Sequence, residues 1–459
     1  MNRIITEEES VNIQDNKKKM LIVMKRYYPD CNSATALIDN IVPSFSDFYD
    51  ITVICVKSDF KSSDKEFRNG IRIIRKHTVW DCPEIVRKKL IDIIYNGKFD
   101  SRLLRFVLSR VVQLLFFPFK LFEKMFGVYC EESYSKRFGI FIENEICKND
   151  VVLTTVMPSE NAETLYPVLL KYPDIKWIIL HCDPYVDYSK KAKDILDKEE
   201  KQNKWYERAT LIVLQETILD NVYRGSYKYK DKILPLFIPS MPSIITDEKL
   251  SKHKEKIILN QLNGTNLFAK KRISCIFTGL FYSGVREPFF LMDVFSQLHE
   301  QYPEIEIYIL GTTYDHKIPG FNKKNEDWFF FCGRQPQEIC DIAQEEADFL
   351  INVGNLVPNL VPSKVMQYIS KRKPIINLFH IKNDAVEEYL DDYPLQFSIY
   401  YDDYIKSEEN KSDIVKKMKR YIDINYGKIA EYDLIKSRYI KYSADNYVNA
   451  IMNHKTMNK

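Results

Sequence analysis

Short apolar runs recur along this chain at the length of buried strands, separated by stretches where apolar residues return every third or fourth position. Met20 to Met24 reads as a buried strand, Thr35 to Val42 as a helix and Ile51 to Val56 as a second strand. Ile71 to Ile74 alternates around arginines, as an edge or hairpin strand does. Val151 to Thr154, Trp177 to Leu180 and Leu211 to Leu214 continue the series, with helical segments such as Ala162 to Lys171 between them. Short apolar strands alternating with helices imply a mostly parallel sheet covered on both faces.

Between Met241 and Arg272 the pattern lapses. The lysine-rich run DEKLSKHKEK would make a poor core element. The pattern then restarts with Ser274 to Phe277, Ile305 to Leu310, Trp328 to Phe331, Asp348 to Asn352 and Pro374 to Leu378. Ile414 to Met452 reads as helical. With 459 residues the chain exceeds the span of one core, so two domains are expected. The expected fold is α/β: two doubly wound Rossmann-like domains facing a central cleft, with a C-terminal helical segment. The expected divisions are a polar tail (1–19), a first domain (20–240), a junction (241–272), a second domain (273–413) and terminal helices (414–459). Those helices either cross back to the first domain or form a cap of their own.

The 67 basic and 64 acidic residues nearly cancel, which argues against nucleic acid as a partner. Nine cysteines include no Cys-x-x-Cys pair, and seven histidines make no His-Glu-x-x-His arrangement, so neither structural zinc nor a secreted disulfide framework is expected. That usage suits a reducing cytoplasm. The first twenty residues lack the apolar core of a signal peptide. Gly-x-Gly-x-x-Gly and Gly-x-x-x-x-Gly-Lys-Ser/Thr are both absent, which argues against a nicotinamide enzyme and a P-loop nucleotidase.

Candidate chemistry concentrates at predicted strand ends, where ligands of doubly wound sheets bind. In Asn359 to Leu378, a polar loop and Pro362 lead into a short amphipathic helix with Ser363 and Lys364 on its first turn. Unpaired N–H groups there favour an anion, and Gln367 lies one turn after Ser363 on the same face. A plain turn–helix–strand unit would read the same way. Thr278 and Gly279 end a strand, a turn follows through Ser283, and Arg286 precedes Glu287-Pro288 at a helix start. Arg286 is read either as a cation for a leaving phosphate or as a solvated side chain. Gly311 and Gly333-Arg334 occupy corresponding strand ends, where glycine permits close backbone approach or positive φ. His181 ends the strand from Trp177, with Asp183 next as an orienting or capping group and Asp187 a weaker candidate.

One stretch, 101–126, reads as an amphipathic helix. Leu104, Val107, Leu108, Val111 and Leu115 share one face, while Arg102, Arg105, Ser109 and Gln113 lie opposite. Pro118 and the repeated arginines argue against a bilayer span. Two readings remain: a helix lying on an anionic membrane surface, or an arm buried against its own domain.

At these residues the chain resembles the retaining, nucleotide-sugar-dependent glycosyltransferases of the large GT-B class, of the bacterial surface-polysaccharide type. The resemblance rests on Phe331 to Arg334 with the following Pro-x-Glu-Ile, on Glu346-Ala347-Asp348, and on Pro362-Ser363-Lys364 through Gln367-Tyr368 to Pro374-Ile375. It implies a hexosyltransferase-like enzyme with a nucleoside diphosphate sugar as donor, held mainly by the second domain. The acceptor, a saccharide or polyprenyl-linked saccharide, would lie against the first. No metal and no further cofactor are implied. Phosphate contacts fall to Arg286, Lys364 and the helix of Ser363, with Gly279, Gly311, Gly333 and Arg334 around them. His181 matches a family histidine that contacts a sugar hydroxyl or backs the reacting centre. A cytoplasmic enzyme, peripheral at the inner face of the membrane, would follow.

The sequence departs from the family pattern at two acids. The paired glutamates eight positions apart are replaced by Asn359 and Gln367. The Gln367 carbonyl can still accept from ribose hydroxyls, without the charge. Leu280 stands where an arginine is usual, and Arg286 falls one residue late for the usual lysine. Two alternatives share the fold: a sugar-nucleotide epimerase, and a weakly active scaffold that binds a partner transferase.

Overall fold

The computed structural model describes residues 17–28, 33–59, 61–77, 82–96, 102–126, 131–156, 158–182, 185–186, 192–219, 227–237, 239, 272–281, 283–313, 317–335, 337–356 and 364–457. The chain forms two compact units, Met1–Pro239 with Ala444–Lys459, and Ser240–Ser443.

The first unit is built on an eight-stranded sheet: β1 (Lys18–Val23), β2 (Tyr49–Val56), β3 (Lys65–Arg68), β4 (Ile71–Lys76), β5 (Val151–Thr155), β6 (Lys176–His181), β7 (Leu211–Gln215) and β8 (Ile233–Leu236). Their order is β3-β4-β2-β1-β5-β6-β7-β8. Only β3 runs antiparallel to its neighbour. The run at Ile71 is therefore one arm of a hairpin and also parallel to β2. The turn is Asn69-Gly70, both at positive φ, as a two-residue I′ turn requires.

Strand alternation divides this unit's core into two layers. Met20 and Ile22 of β1 pack with Ile38, Ile41 and Phe45 of the helix Ser33–Phe45. Leu21 and Val23 face the other way, onto Phe138, Ile142, Leu165, Trp205 and Tyr206. The helix Ala444–Met452 adds Tyr447, Val448 and Ile451 to the first layer, and Ser44 Oγ donates to Asp445 Oδ1 at 2.6 Å.

The second unit carries a six-stranded, all-parallel sheet: β9 (Ile273–Phe281), β10 (Ile305–Thr313), β11 (Phe329–Gly333), β12 (Phe349–Val353), β13 (Ile375–Phe379) and β14 (Gln396–Tyr400). Their order is β11-β10-β9-β12-β13-β14. One face is covered by the helices Phe289–Gln301 and Glu408–Asn425, through Phe290, Val294, Phe295, Val415, Met418 and Ile422. Thus the helix at Glu408 belongs to the second unit and the helix at Ala444 to the first, so the terminal helical region is shared between the two.

Both sheets grow outward from their first strand, β1 or β9, in one direction and then in the other. The reversal falls between β1 and β5 in the first unit and between β9 and β12 in the second. Outside the carboxyl ends of the strands, this is where an open α/β sheet has a crevice.

Candidate functional site

The crevice of the second unit is visible in the strand pairing itself. At their starts β9 and β12 are pinned together: Asp348 Oδ2 accepts from Ser274 N (2.9 Å) and Ser274 Oγ (2.8 Å). Their register then covers only Cys275↔Phe349 and Ile276↔Leu350, although the strands continue to Phe281 and Val353. Beyond Ile276 the two part. A β9 amide that loses its strand neighbour needs another acceptor. Tyr368 supplies it: the buried hydroxyl accepts from Thr278 N at 2.9 Å and lies 3.1 Å from Thr278 Oγ1. Gln344 Nε2 donates to the same Oγ1 at 2.8 Å. Burial pushes the Tyr368 hydroxyl up to about 12, so it stays protonated.

Tyr368 lies on the seven-residue helix Lys364–Ser370, whose Val365, Met366, Tyr368 and Ile369 are buried. Lys364 and Gln367 fall on the half-buried side. Although Gln367 is only half-buried, its Oε1 is buried and has no hydrogen-bond partner among the described residues. An unsatisfied buried carbonyl costs free energy, so it marks a place where a donor is missing. Lys364 begins the helix near Cys340: burial pushes that thiol up to about 11, and the Lys364 charge pulls it the other way.

Arg286 is not a solvated side chain. It is 8% exposed, and its Nη2 donates to Asn355 Oδ1 at 2.9 Å. Asn355 follows β12, so this bond spans the gap between the parted strands. A second tie runs from Leu356 N to Val285 O at 2.7 Å. Beneath it lies Asp384, whose Oδ2 accepts from Asn355 N at 3.2 Å and whose Oδ1 accepts from Val386 N at 2.9 Å. Burial raises the Asp384 carboxyl above the usual range; the two N–H bonds and the Arg286 charge oppose that rise. A Cβ at Gly354 would lie 2.5 Å from Asp384 Oδ2, so only glycine lets this carboxyl approach. His380, after β13, faces Glu287 O at 3.1 Å through Nε2, and burial holds its pKa below the ordinary value.

The predicted glycines have separate reasons. A Cβ at Gly311 would lie 1.6 Å from the carbonyl oxygen of Gly279, its partner in the β9–β10 register. The close approach that Gly311 allows is therefore to the neighbouring strand. Gly333 has φ +66° and turns the end of β11. Arg334 is exposed beyond it, two strands from β9, at a spacing of about 10 Å. The structure thus gathers Gly279, Arg286, Lys364 and Gln367 around one sheet reversal, places Gly311 one strand away on β10, and leaves Arg334 at the sheet edge. Asn359, Ser363, Asp183 and Asp187 lie outside the described residues. Asn355, Asp384 and His380 were not singled out from the sequence; the only signal was Gly354-Asn355 directly after a buried strand.

In the first unit His181 ends β6 with no exposed surface. Its Nδ1 faces the Tyr206 hydroxyl, and the two rings meet edge-on at 6.0 Å. The pair forms because the helix Ala192–Arg208 carries Tyr206 to the strand end. The polar groups at this unit's own sheet reversal are different ones. Lys25 follows β1 and pairs with Glu160 at 2.5 Å, while Lys25 N donates to Asn161 Oδ1 at 2.6 Å. Burial pushes the Glu160 carboxyl up, but the Lys25 hydrogen bond and the Lys25 and Arg26 charges outweigh it and hold it below its usual range.

The helix Arg102–Phe126 buries Ser109 and Val112 and leaves much of its apolar surface exposed. Leu104, Phe106, Val107, Val111, Leu114, Leu115, Phe117 and Phe119 are all exposed, Leu114 by 71%. Ser109, assigned to the polar face, is buried instead and donates to Phe106 O at 2.8 Å. Among the described residues, no helix is long and apolar enough to cross a membrane, and no three His, Cys, Asp or Glu gather as a metal site.

No family model matches the chain, and no curated protein matches it. Solved structures do share its fold. The trehalose-6-phosphate protein from E. coli, bound with UDP-2-fluoro glucose, is 8% identical, with 95% of this chain and 97% of that one covered and a TM-score of 0.50. A point mutant of S. aureus TarM, in complex with Fondaparinux, alpha-GlcNAc-glycerol and UDP, is 9% identical, with 96% and 100% covered and a TM-score of 0.54. The chain has the GT-B fold. At these identities the likeness is one of fold, and what the GT-B chain does rests on its own residues.

Proposed function

We propose that this protein is a glycosyltransferase that binds a nucleoside diphosphate sugar in its second unit and passes the sugar, with retention, to a saccharide or polyprenyl-linked acceptor. The observation that carries the reading is Arg286, nine-tenths buried and hydrogen-bonded to Asn355 across the sheet reversal. A fixed cation at the crevice of a doubly wound sheet is what a leaving diphosphate needs, since a preorganised charge requires no rearrangement as the bond breaks. Lys364 supplies a second cation. Gln367 is assigned to the ribose, which offers hydroxyl donors to its buried carbonyl. Both similar solved structures are described with UDP or a UDP sugar analogue bound, which supports a nucleotide ligand for this fold.

The acceptor is assigned to the first unit, with Asp183 on that side and His181 as a buried group backing the surface rather than touching the sugar. The exposed apolar helix Arg102–Phe126 supports a lipid-linked acceptor, since it offers leucines and phenylalanines together with the exposed Arg110 to an anionic membrane surface. A cytoplasmic enzyme peripheral to the membrane follows from that assignment.

The test is a thermal-shift screen of nucleotide sugars, followed by mass spectrometry of products with saccharide acceptors. A retained glycoside formed from one donor is expected. Conversion of the donor to its epimer without acceptor would replace transfer by epimerisation. Tight binding of a partner transferase with no chemistry would mark a scaffold.

A further inference from the structure

Between β12 and β13 the structure builds a support that the donor-binding reading does not by itself require. Asp384 is 4% exposed and Asn355 1%. Asp384 reaches the 354–355 backbone because Gly354 has no side chain: the nearest Cβ position lies 2.5 Å from the carboxyl oxygen and 3.1 Å from Phe379 Cδ1. The carboxyl then accepts from Asn355 N and Val386 N, which fixes it from both sides. Asn355 passes this on, since its Oδ1 holds Arg286 Nη2 at 2.9 Å. On the far side the guanidinium meets the β9 backbone, with Nη1 3.5 Å from Leu280 O. Other groups face the same place. Glu287 binds Gly284 N at 2.8 Å, Glu387 binds Asp384 N at 3.1 Å, and His380 faces Glu287 O.

We propose that Asp384 and Asn355 are positioning residues for Arg286, with Asp384 fixing the loop after β12 and Asn355 aiming the guanidinium at the diphosphate of the donor. The inference rests on the proposed donor site. An arginine side chain has several rotatable bonds, and holding it before the ligand arrives removes an ordering cost from the binding step. A carboxylate in direct contact would neutralise the guanidinium. An amide carbonyl orients it without bringing a charge of its own.

The test is a set of thermodynamic cycles on the full chain, read by titration calorimetry with UDP, GDP, ADP and CDP, using whichever the wild type binds most tightly. Asn355→Ala and Asp384→Ala are each expected to weaken binding about tenfold. In an Arg286→Ala background the same changes should have no further effect within about twofold, because the residue they position is gone. Losses that multiply in the double variants overturn the inference and leave the donor site standing. So does a gain in affinity in Asp384→Asn, which would mean that the carboxyl opposes the anion. If Asp384→Ala does not fold, the Asn355 cycle decides alone. A wild type that binds none of the four nucleotides overturns the donor reading and this inference with it.

Discussion

The Tyr368 hydroxyl stands 2.9 Å from the backbone nitrogen of Thr278, in the place a neighbouring strand would occupy. This bond keeps the crevice between β9 and β12 open without leaving a buried amide unpaired. Tyr368→Phe leaves that amide without its acceptor and should destabilise the protein by about 1–3 kcal/mol. Urea denaturation of the two proteins measures the difference. An unchanged midpoint and slope would mean that water or another group takes the place of the hydroxyl.

Gln367 gives a prediction of opposite signs. Its carbonyl is buried without a partner among the described residues. Gln367→Leu should therefore leave the free protein as stable as before, or slightly more so, while weakening nucleotide binding by about 1–3 kcal/mol. Thermal melts with and without nucleotide read both effects. Equal nucleotide-induced shifts in the two proteins would remove Gln367 from the site.

His380 sets a pH dependence. Its pKa lies below the ordinary value of 6.5 because burial disfavours the charged ring. As pH falls through 6.5 the unfolded chain takes up a proton that the folded chain refuses, so the folded state loses stability. Above 6.5 the effect vanishes. Wild type should therefore lose stability relative to His380→Gln as pH falls below 6.5, and keep a constant difference above it. Denaturation curves collected from about pH 5 to about pH 8 check this, with proton linkage giving the sign. A difference that stays constant across that range would contradict the burial of a neutral ring.

The exposed helix Arg102–Phe126 predicts flotation of the intact protein with anionic vesicles and weaker flotation with neutral ones. Leu114→Glu with Leu115→Glu places two charges on adjacent, strongly exposed apolar positions and should abolish flotation. Protein that stays at the bottom of the gradient with anionic vesicles contradicts the membrane assignment.

Much of the architecture was legible because parallel strands are buried on both faces and appear as unbroken apolar runs, as in Trp177 to Leu180. Three strands escaped for the opposite reason. β3 is an exposed edge with alternating partial burial, β8 (ILPL) is short and mostly half-buried or exposed, and β14 (QFSIY) is mostly half-buried. The Asn69-Gly70 turn was the available signal for β3. Arg286 was legible as a cation after a strand, but its burial was not, since that depends on Asn355, 69 positions away in sequence. Asp384 was illegible for the same reason: its place under Gly354 exists only once β12 and β13 are neighbours. The burial of His181 against Tyr206 was not legible, because a strand end reads the same whether a neighbouring helix leaves it open or covers it.

The central claim is that Arg286 holds the diphosphate of a nucleotide donor in the second unit. Titration calorimetry of wild type and Arg286→Ala with the nucleotide sugar found by the screen tests it most directly. The account predicts binding by the wild type and a loss of about tenfold to a thousandfold in the variant, the range of comparable charge contacts. Equal affinity in the two folded proteins would contradict it.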